Sequence, residues 1–204
     1  MNGIVLIRHA ETDLTGKFCG QSDPDLNAAG EQQLCSLVEE IAPLGVKRIY
    51  SSDLRRASRT AAAISERIRV SVELRPGLRE IHFGLWEGLS WEEVEQQYPH
   101  EAELWMREFP TGSTPHGESY RDFIARVGAE FNLIRDDEDI VRAVVTHRGV
   151  LQYALARFFG FSDADARSRT EELGAIILAT QVENPPGRVV DHRSLSMHSM
   201  LIRR

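Results

Sequence analysis

The chain predicts an α/β fold, a three-layer α/β/α sandwich around a mainly parallel central sheet with an antiparallel edge strand. Three observations predict it. The short apolar runs GIVLIR, VKRIYSS, VSVEL and AVVTH recur along the chain. Between them lie stretches with apolar residues at helical spacing, so strands and helices alternate. Two further strand-like runs, AIILATQV and RVVDHRS, come last and put the antiparallel edge near the end.

Each element has a local reason. GIVLIR opens as a strand, and a loop rich in Gly, Asp and Pro follows from Glu11 to Leu26. Asn27 reads as the N-cap of a helix over AAGEQQLCSLVEEIAPL, with Leu34, Leu37, Val38 and Ile41 at helical spacing. VKRIYSS is the second strand, Asp53 is expected to cap the helix LRRASRTAAAISERI, and VSVEL is the third strand. LREIHFGLWEG is a glycine-punctuated loop, after which Ser90 and Glu93 make a capping box for WEEVEQQY. The segment from Pro99 to Gly117 carries prolines and scattered aromatics and reads as a partly helical excursion that covers something. Ser119 to Asp136 is an amphipathic helix with Phe123, Val127, Phe131 and Ile134 on one side. AVVTH is a strand, and a helix runs from Val150 through Phe159.

Bulk properties exclude several classes. The 204 residues contain no internal repeat, low-complexity tract or long linker, so the expectation is a single domain over 1–204 with a lid-like excursion about 87–118. A net charge of −7 without any basic stripe argues against a nucleic-acid partner. No apolar stretch approaches the ~20 residues that span a bilayer, so no membrane partner is expected and a cytoplasmic location is the default. Cys19 and Cys35 make neither a disulfide framework nor a metal knuckle. Nor do His82, His100, His116, His192 and His198 show metal-ligand spacing, so no metal and no other cofactor is expected. The sequence leaves open whether a second copy of the chain is a partner, as in a homodimer.

The strand ends carry the chemistry. GIVLI runs into Arg8 and His9, RIYSS into Asp53, Arg55 and Arg56, and AVVT into His147. In an open α/β sheet, ligands bind beyond the carboxyl ends of the strands. A histidine after a strand or an arginine early in a helix is usually structural. Their arrival at three strand ends together points to a site. Paired arginines and histidines suit a phosphoryl dianion: guanidinium forks match its oxygens, and a neutral imidazole nitrogen can attack phosphorus. An acid must protonate the departing alkoxide. Glu80, in a loop of glycines and aromatics, is the candidate, because apolar neighbours raise a carboxyl pKa.

LIRHAET, SSDLRRASRTA, LREIHFGLWEG, HGESYRDFIARV and VVTHRGVL, in this order and spacing, resemble the histidine phosphatase (phosphoglycerate mutase-like) superfamily. The resemblance implies that His9 is the phosphorylated nucleophile, with Arg8 and Arg56 on the phosphate. It likewise implies that His147 donates to the phosphoryl group and that Glu80 is the proton donor. The short length and the GKFCGQSDPDLN and HGESYRDF stretches look most like α-ribazole phosphatases, with broad-specificity sugar or phosphoserine phosphatases sharing much of the pattern.

Departures from the family pattern add detail. Ala10 stands where many members have Gly. Thr15 occupies a place where many mutases carry an Asn that reaches phosphate, and its hydroxyl can still hydrogen-bond. Arg148 follows His147 where Gly is commoner and either adds a cation at the rim or points to solvent. Gln21 sits where it either touches substrate or serves the turn. A mutase needs extra cations for a second phosphate. Between Glu87 and Gly117 the only one is Arg107, among Glu92, Glu93, Glu95, Glu101, Glu103 and Glu108. Metal-independent hydrolysis of a small-molecule phosphate monoester is therefore favoured. A mutase-type phosphotransferase and a non-catalytic phosphate-binding module are the alternatives. Trp86, Trp91, Trp105 and Phe109 either line a pocket for an apolar leaving group or pack the lid onto the sheet.

Overall fold

The structure is a computed structural model that describes residues 3–109, 111–135 and 140–179. Its sheet has five strands in the order β3-β2-β4-β1-β5. β1 (Gly3–Arg8) pairs in parallel with β4 (Val141–Thr146), which pairs in parallel with β2 (Arg48–Ser51), and β2 in parallel with β3 (Val72–Leu74). The edge strand β5 (Ile176–Ala179) runs antiparallel to β1. The later strand expected at RVVDHRS lies outside the described residues.

The apolar run of β1 follows from burial on both faces. Side chains alternate across a strand. Ile4 and Leu6 join Tyr50 and Val144 beneath Phe123, Val127, Phe131 and Ile134 of α5 (Tyr120–Arg135) and Val150, Leu151, Ala154 and Leu155 of α6 (Arg148–Phe159). Val5 and Ile7 join Ile49, Ala143 and Val145 on the other face, beneath Leu37 and Ile41 of α1 (Ala28–Ile41) and Ala57, Ala61 and Ile64 of α2 (Arg55–Ile68). Two helical layers therefore cover one sheet.

Local chemistry set most element ends. The Asn27 side chain accepts from Gly30 N–H at 2.8 Å, and Ser90 with Glu93 closes a capping box on α3 (Trp91–Gln97). α1 stops at Ile41, earlier than its periodicity suggested, because Pro43 breaks the ladder and a 3-10 turn, Ala42–Leu44, follows. Asp53 does not cap α2. Leu54 holds the N-cap position without a side-chain bond, while the Asp53 carboxylate is gripped by Arg79 at 2.7 and 2.5 Å. A planar guanidinium fork outcompetes a single cap bond for that carboxylate.

The excursion after residue 87 holds α3 and α4 (Pro99–Glu108). These form their own apolar cluster, with Trp86, Val94 and Ala102 buried among Phe18, Phe83, Leu89, Trp91, Tyr98 and Trp105. The 11–26 loop clips onto it through Phe18 N–H to Leu89 O, 2.9 Å, and Gly88 N–H to Phe18 O, 2.8 Å. α7 (Asp163–Arg169), capped by Ser162, packs beside α6. Among the described residues, no helix is long and apolar enough to cross a membrane.

Candidate active site

The carboxyl ends of β1, β2 and β4 bring together the residues singled out in the sequence. Arg8 ends β1 and His9 follows it. Arg56 lies in the first turn of α2, and His147 is the N-cap residue of α6. Glu80 comes from the loop after the 3-10 turn Pro76–Leu78. Arg56 is fully buried and His147 is 1% exposed; Glu80 and His9 keep 7% and 8%. The His9 and His147 rings stand 5.1 Å apart, centroid to centroid.

Hydrogen bonds define the state of His9. Its Nδ1 lies 2.7 Å from the Ala10 carbonyl, which can only accept, so Nδ1 carries the proton. Nε2 is left with its lone pair, which receives Arg56 Nε–H at 3.3 Å. Burial lowers the His9 pKa to about 3, assisted by the cations of Arg56 and Arg8. The imidazole is thus neutral at ordinary pH. Burial, then Arg56 and His9, likewise hold His147 well below the usual histidine range. His147 Nε2 meets Ser52 Oγ at 2.8 Å, while its Nδ1 is buried without a protein partner.

Arg8 is held by carbonyls. Its Nη1 donates to Thr170 O at 3.0 Å and to Glu171 O at 2.5 Å. Burial and the neighbouring Arg148 push its pKa down to about 10, which leaves the cation intact at neutrality. Burial pushes the Glu80 carboxyl up, against the N–H of Gly149 on Oε2 at 2.8 Å and that of Ile81 on Oε1 at 3.1 Å. Arg126 steadies the Glu80 backbone. It donates to the carbonyls of Gly77, Arg79 and Glu80 at 3.0, 2.7 and 2.9 Å while pairing with Glu118.

A cavity of about 810 Å³ opens onto this cluster, and Arg8, His9 and Glu80 lie on its wall. Thr15 and Arg148 are on the wall too. The Thr15 hydroxyl donates to Thr12 O at 2.8 Å, and Arg148 stands 3.8 Å from Glu171. Gln21 is not among the wall residues; its side-chain amide donates to Glu80 O at 3.3 Å. Trp91, Trp105 and Phe109 line the cavity, whereas Trp86 is fully buried in the lid cluster. Tyr120, Phe123 and Tyr153 add aromatic wall.

Two features escaped sequence reasoning. The segment after residue 160 showed no functional signal, yet Asp163, Ala166, Arg167 and Leu173 line the cavity and the neighbouring carbonyls hold Arg8. The glutamates of the excursion, expected to repel a second phosphate, are absent from the cavity wall, while Lys17, Arg148 and Arg167 are on it. Lys17 is met by Glu93 at 3.5 Å and Arg148 by Glu171.

Comparison with known proteins gives the family and the fold. The family model of the histidine phosphatase superfamily (branch 1) matches residues 4–184. A probable phosphoglycerate mutase of Escherichia coli is 31% identical over 153 residues, which cover 72% of this chain and 69% of that protein. Phosphoserine phosphatase 1 of Hydrogenobacter thermophilus is 34% identical over 126 residues, 61% of this chain but only 60% of that enzyme. Among solved structures, the α-ribazole phosphatase of Shigella flexneri superposes with a TM-score of 0.80 at 24% identity, over 93% of this chain and 96% of that one, a likeness of fold.

Proposed function

Because the chain belongs to the histidine phosphatase superfamily, we propose that it hydrolyses small-molecule phosphate monoesters through a phosphohistidine on His9. The observation that carries this reading is the unprotonated, buried His9 Nε2, facing a fixed guanidinium and sharing a cavity with a carboxyl group whose pKa burial raises. As the phosphoryl group arrives, Arg56 Nε–H turns from Nε2 to a phosphoryl oxygen; the freed Nε2 lone pair attacks phosphorus and the ester P–O bond breaks. The Glu80 proton passes to the departing alkoxide. Water then attacks phosphorus, the P–Nε2 bond breaks and returns the lone pair to His9, the water proton goes to the Glu80 carboxylate, and inorganic phosphate leaves. Arg8, Arg56 and His147 stabilise the charge on the transferring oxygens. No step uses a metal.

The leaving group is aromatic or otherwise bulky and apolar. Phe18, Phe83, Trp91, Trp105 and Phe109 on one wall and Tyr120, Phe123 and Tyr153 on another support this, with Phe109 still 51% exposed. α-Ribazole 5'-phosphate, an aromatic nucleoside phosphate, is the first candidate, and phosphoserine is the small, polar counter-candidate. Lys17, Arg148 and Arg167 favour a second reading, a mutase that holds a second anionic group. Release of inorganic phosphate from a panel of monoesters, with a chelator present, separates the two. A hydrolase releases phosphate from aryl and nucleoside esters. A mutase instead passes it to a second hydroxyl, and a binding module releases none.

Two substitutions test the geometry. A Cβ on Gly149 would lie 2.5 Å from Glu80 Oε1, and the rigid first turn of α6 offers no retreat, so the carboxyl must move. Gly149→Ala is therefore expected to lower kcat on the order of 10²-fold while circular dichroism stays native, because alanine itself favours a helix. Trp105→Ala is expected to reduce kcat/KM for 2-naphthyl phosphate on the order of tenfold more than for glycerol phosphate. Equal losses on both esters would mean that the ring packs the lid and does not meet the leaving group.

A further inference from the structure

The 19–22 loop lies between two charged groups and is bonded by both. On one side the Glu87 carboxylate accepts from the backbone N–H groups of Gly20, Gln21 and Ser22 at 3.1, 2.8 and 3.0 Å and from the Ser22 hydroxyl at 2.6 Å. It also takes Phe83 N–H at 3.0 Å. On the other side the Arg56 guanidinium donates to the carbonyls of Cys19, Gly20 and Ser22 at 3.2, 2.7 and 2.7 Å. A fourth Arg56 donor, Nε–H, points at His9 Nε2. Gly20 is required for this sandwich, since a Cβ there would meet Ile81 O at 2.2 Å and Glu87 Oε1 at 2.4 Å.

We propose that Glu87 is a positioning residue for the phosphoryl-transfer site: by fixing the N–H side of the 19–22 loop it aims three carbonyls at Arg56 and thereby holds the guanidinium beside the attacking nitrogen of His9. The proposal rests on the phosphohistidine reading for its catalytic consequence, though not for the hydrogen-bond chain itself. An arginine has freely rotating side-chain bonds, and a planar fork keeps one direction only when several acceptors are fixed around it. Here those acceptors sit on a short loop that runs outside the sheet, so the loop itself needs an anchor. Glu87 supplies it from the base of the lid, just after the 3-10 turn Gly84–Trp86. Burial opposes its ionisation, yet the donors from Ser22, Phe83 and Gln21 keep its carboxyl below the usual range, so the anchor stays charged. Through the same loop Gln21 reaches Glu80 O at 3.3 Å, so one carboxylate steadies both the nucleophile side and the acid side.

The test has two readouts on the full chain, each applied to Glu87→Gln, Ser22→Ala and Arg56→Ala. In the first, the ¹⁵N resonance of His9 Nε2 is followed by nuclear magnetic resonance. Glu87→Gln is expected to move it in the direction that Arg56→Ala does. Ser22→Ala, which removes one of the anchoring donors, should give a smaller shift of the same sign. An unmoved Nε2 resonance in both folded variants overturns the proposal. In the second, kcat for p-nitrophenyl phosphate is measured in a double-mutant cycle. Glu87→Gln is expected to lower kcat on the order of 10²-fold in the wild-type background and by less than about twofold when Arg56 is already alanine. The same loss in both backgrounds overturns the action through Arg56. A wild type that is inert towards every ester, with the Nε2 shifts as expected, removes the phosphatase reading and leaves the positioning chain standing.

Discussion

His9→Ala is expected to lower kcat/KM for p-nitrophenyl phosphate on the order of 10⁵-fold, with EDTA present and the fold intact. The size follows from the role. The substitution removes the protein atom that forms a bond to phosphorus, and what remains is binding and charge stabilisation by Arg8, Arg56 and His147. Removing His9 also relieves burial of a polar ring beside two cations, so stability is not expected to suffer in proportion. A variant with more than about a tenth of wild-type activity would place the nucleophile elsewhere.

Glu80→Gln is expected to be nearly as damaging, but only for esters with poor leaving groups. General-acid assistance is worth about 10²–10⁴-fold when the departing alkoxide needs a proton and little when it does not. An alkyl phosphate should therefore lose that factor, and p-nitrophenyl phosphate should lose far less. The pH dependence has a defined sign. An acid acts only while protonated, and burial raises the Glu80 pKa above its ordinary 4.5. The active form persists above that value and is lost as pH rises through the raised pKa, which gives kcat/KM for an alkyl ester a falling alkaline limb. His9 contributes the opposite limb. It must be neutral to attack, and with a pKa lowered to about 3 it is neutral at every pH above that. Glu80→Gln should abolish the alkaline limb. Measured on one ester, wild type and variant share the substrate's own titration, so the difference belongs to Glu80. An unchanged profile would assign the acid to another group.

Much of the fold was legible because its signals are local. The IVLI run of β1, the Asn27 and Ser90 caps and the apolar stripe of α5 each follow from a few neighbouring residues. The cluster of Arg8, His9, Arg56 and His147 was legible for a related reason: strand ends share one edge of a parallel sheet, so residues next to separate strands meet in space, while Glu80 stood out by the glycines and aromatics of its loop. Features that depend on distant partners were not legible. Asp53 has the chemistry of a cap, and only the approach of Arg79 from another loop diverts it. Glu87 reads as one acid among many, because its partners are backbone N–H groups that carry no side-chain signature. The wall supplied by Asp163, Ala166, Arg167 and Leu173 was invisible too, since nothing local in that stretch shows that it borders the cavity. The excursion's glutamates, counted as repulsive, turned out to be off the cavity wall, a matter of helix facing that a charge count does not contain. His192 and His198 lie outside the described residues.

The most direct test of the central claim is to mix the enzyme with a phosphate ester, quench the reaction in alkali within the first turnover, and locate the phosphoryl group by mass spectrometry. The account predicts a phosphoryl group on His9, stable in alkali and lost in acid, and absent from His9→Ala. A wild-type enzyme that turns over ester while the phosphoryl group appears on another residue, or on none, would contradict it.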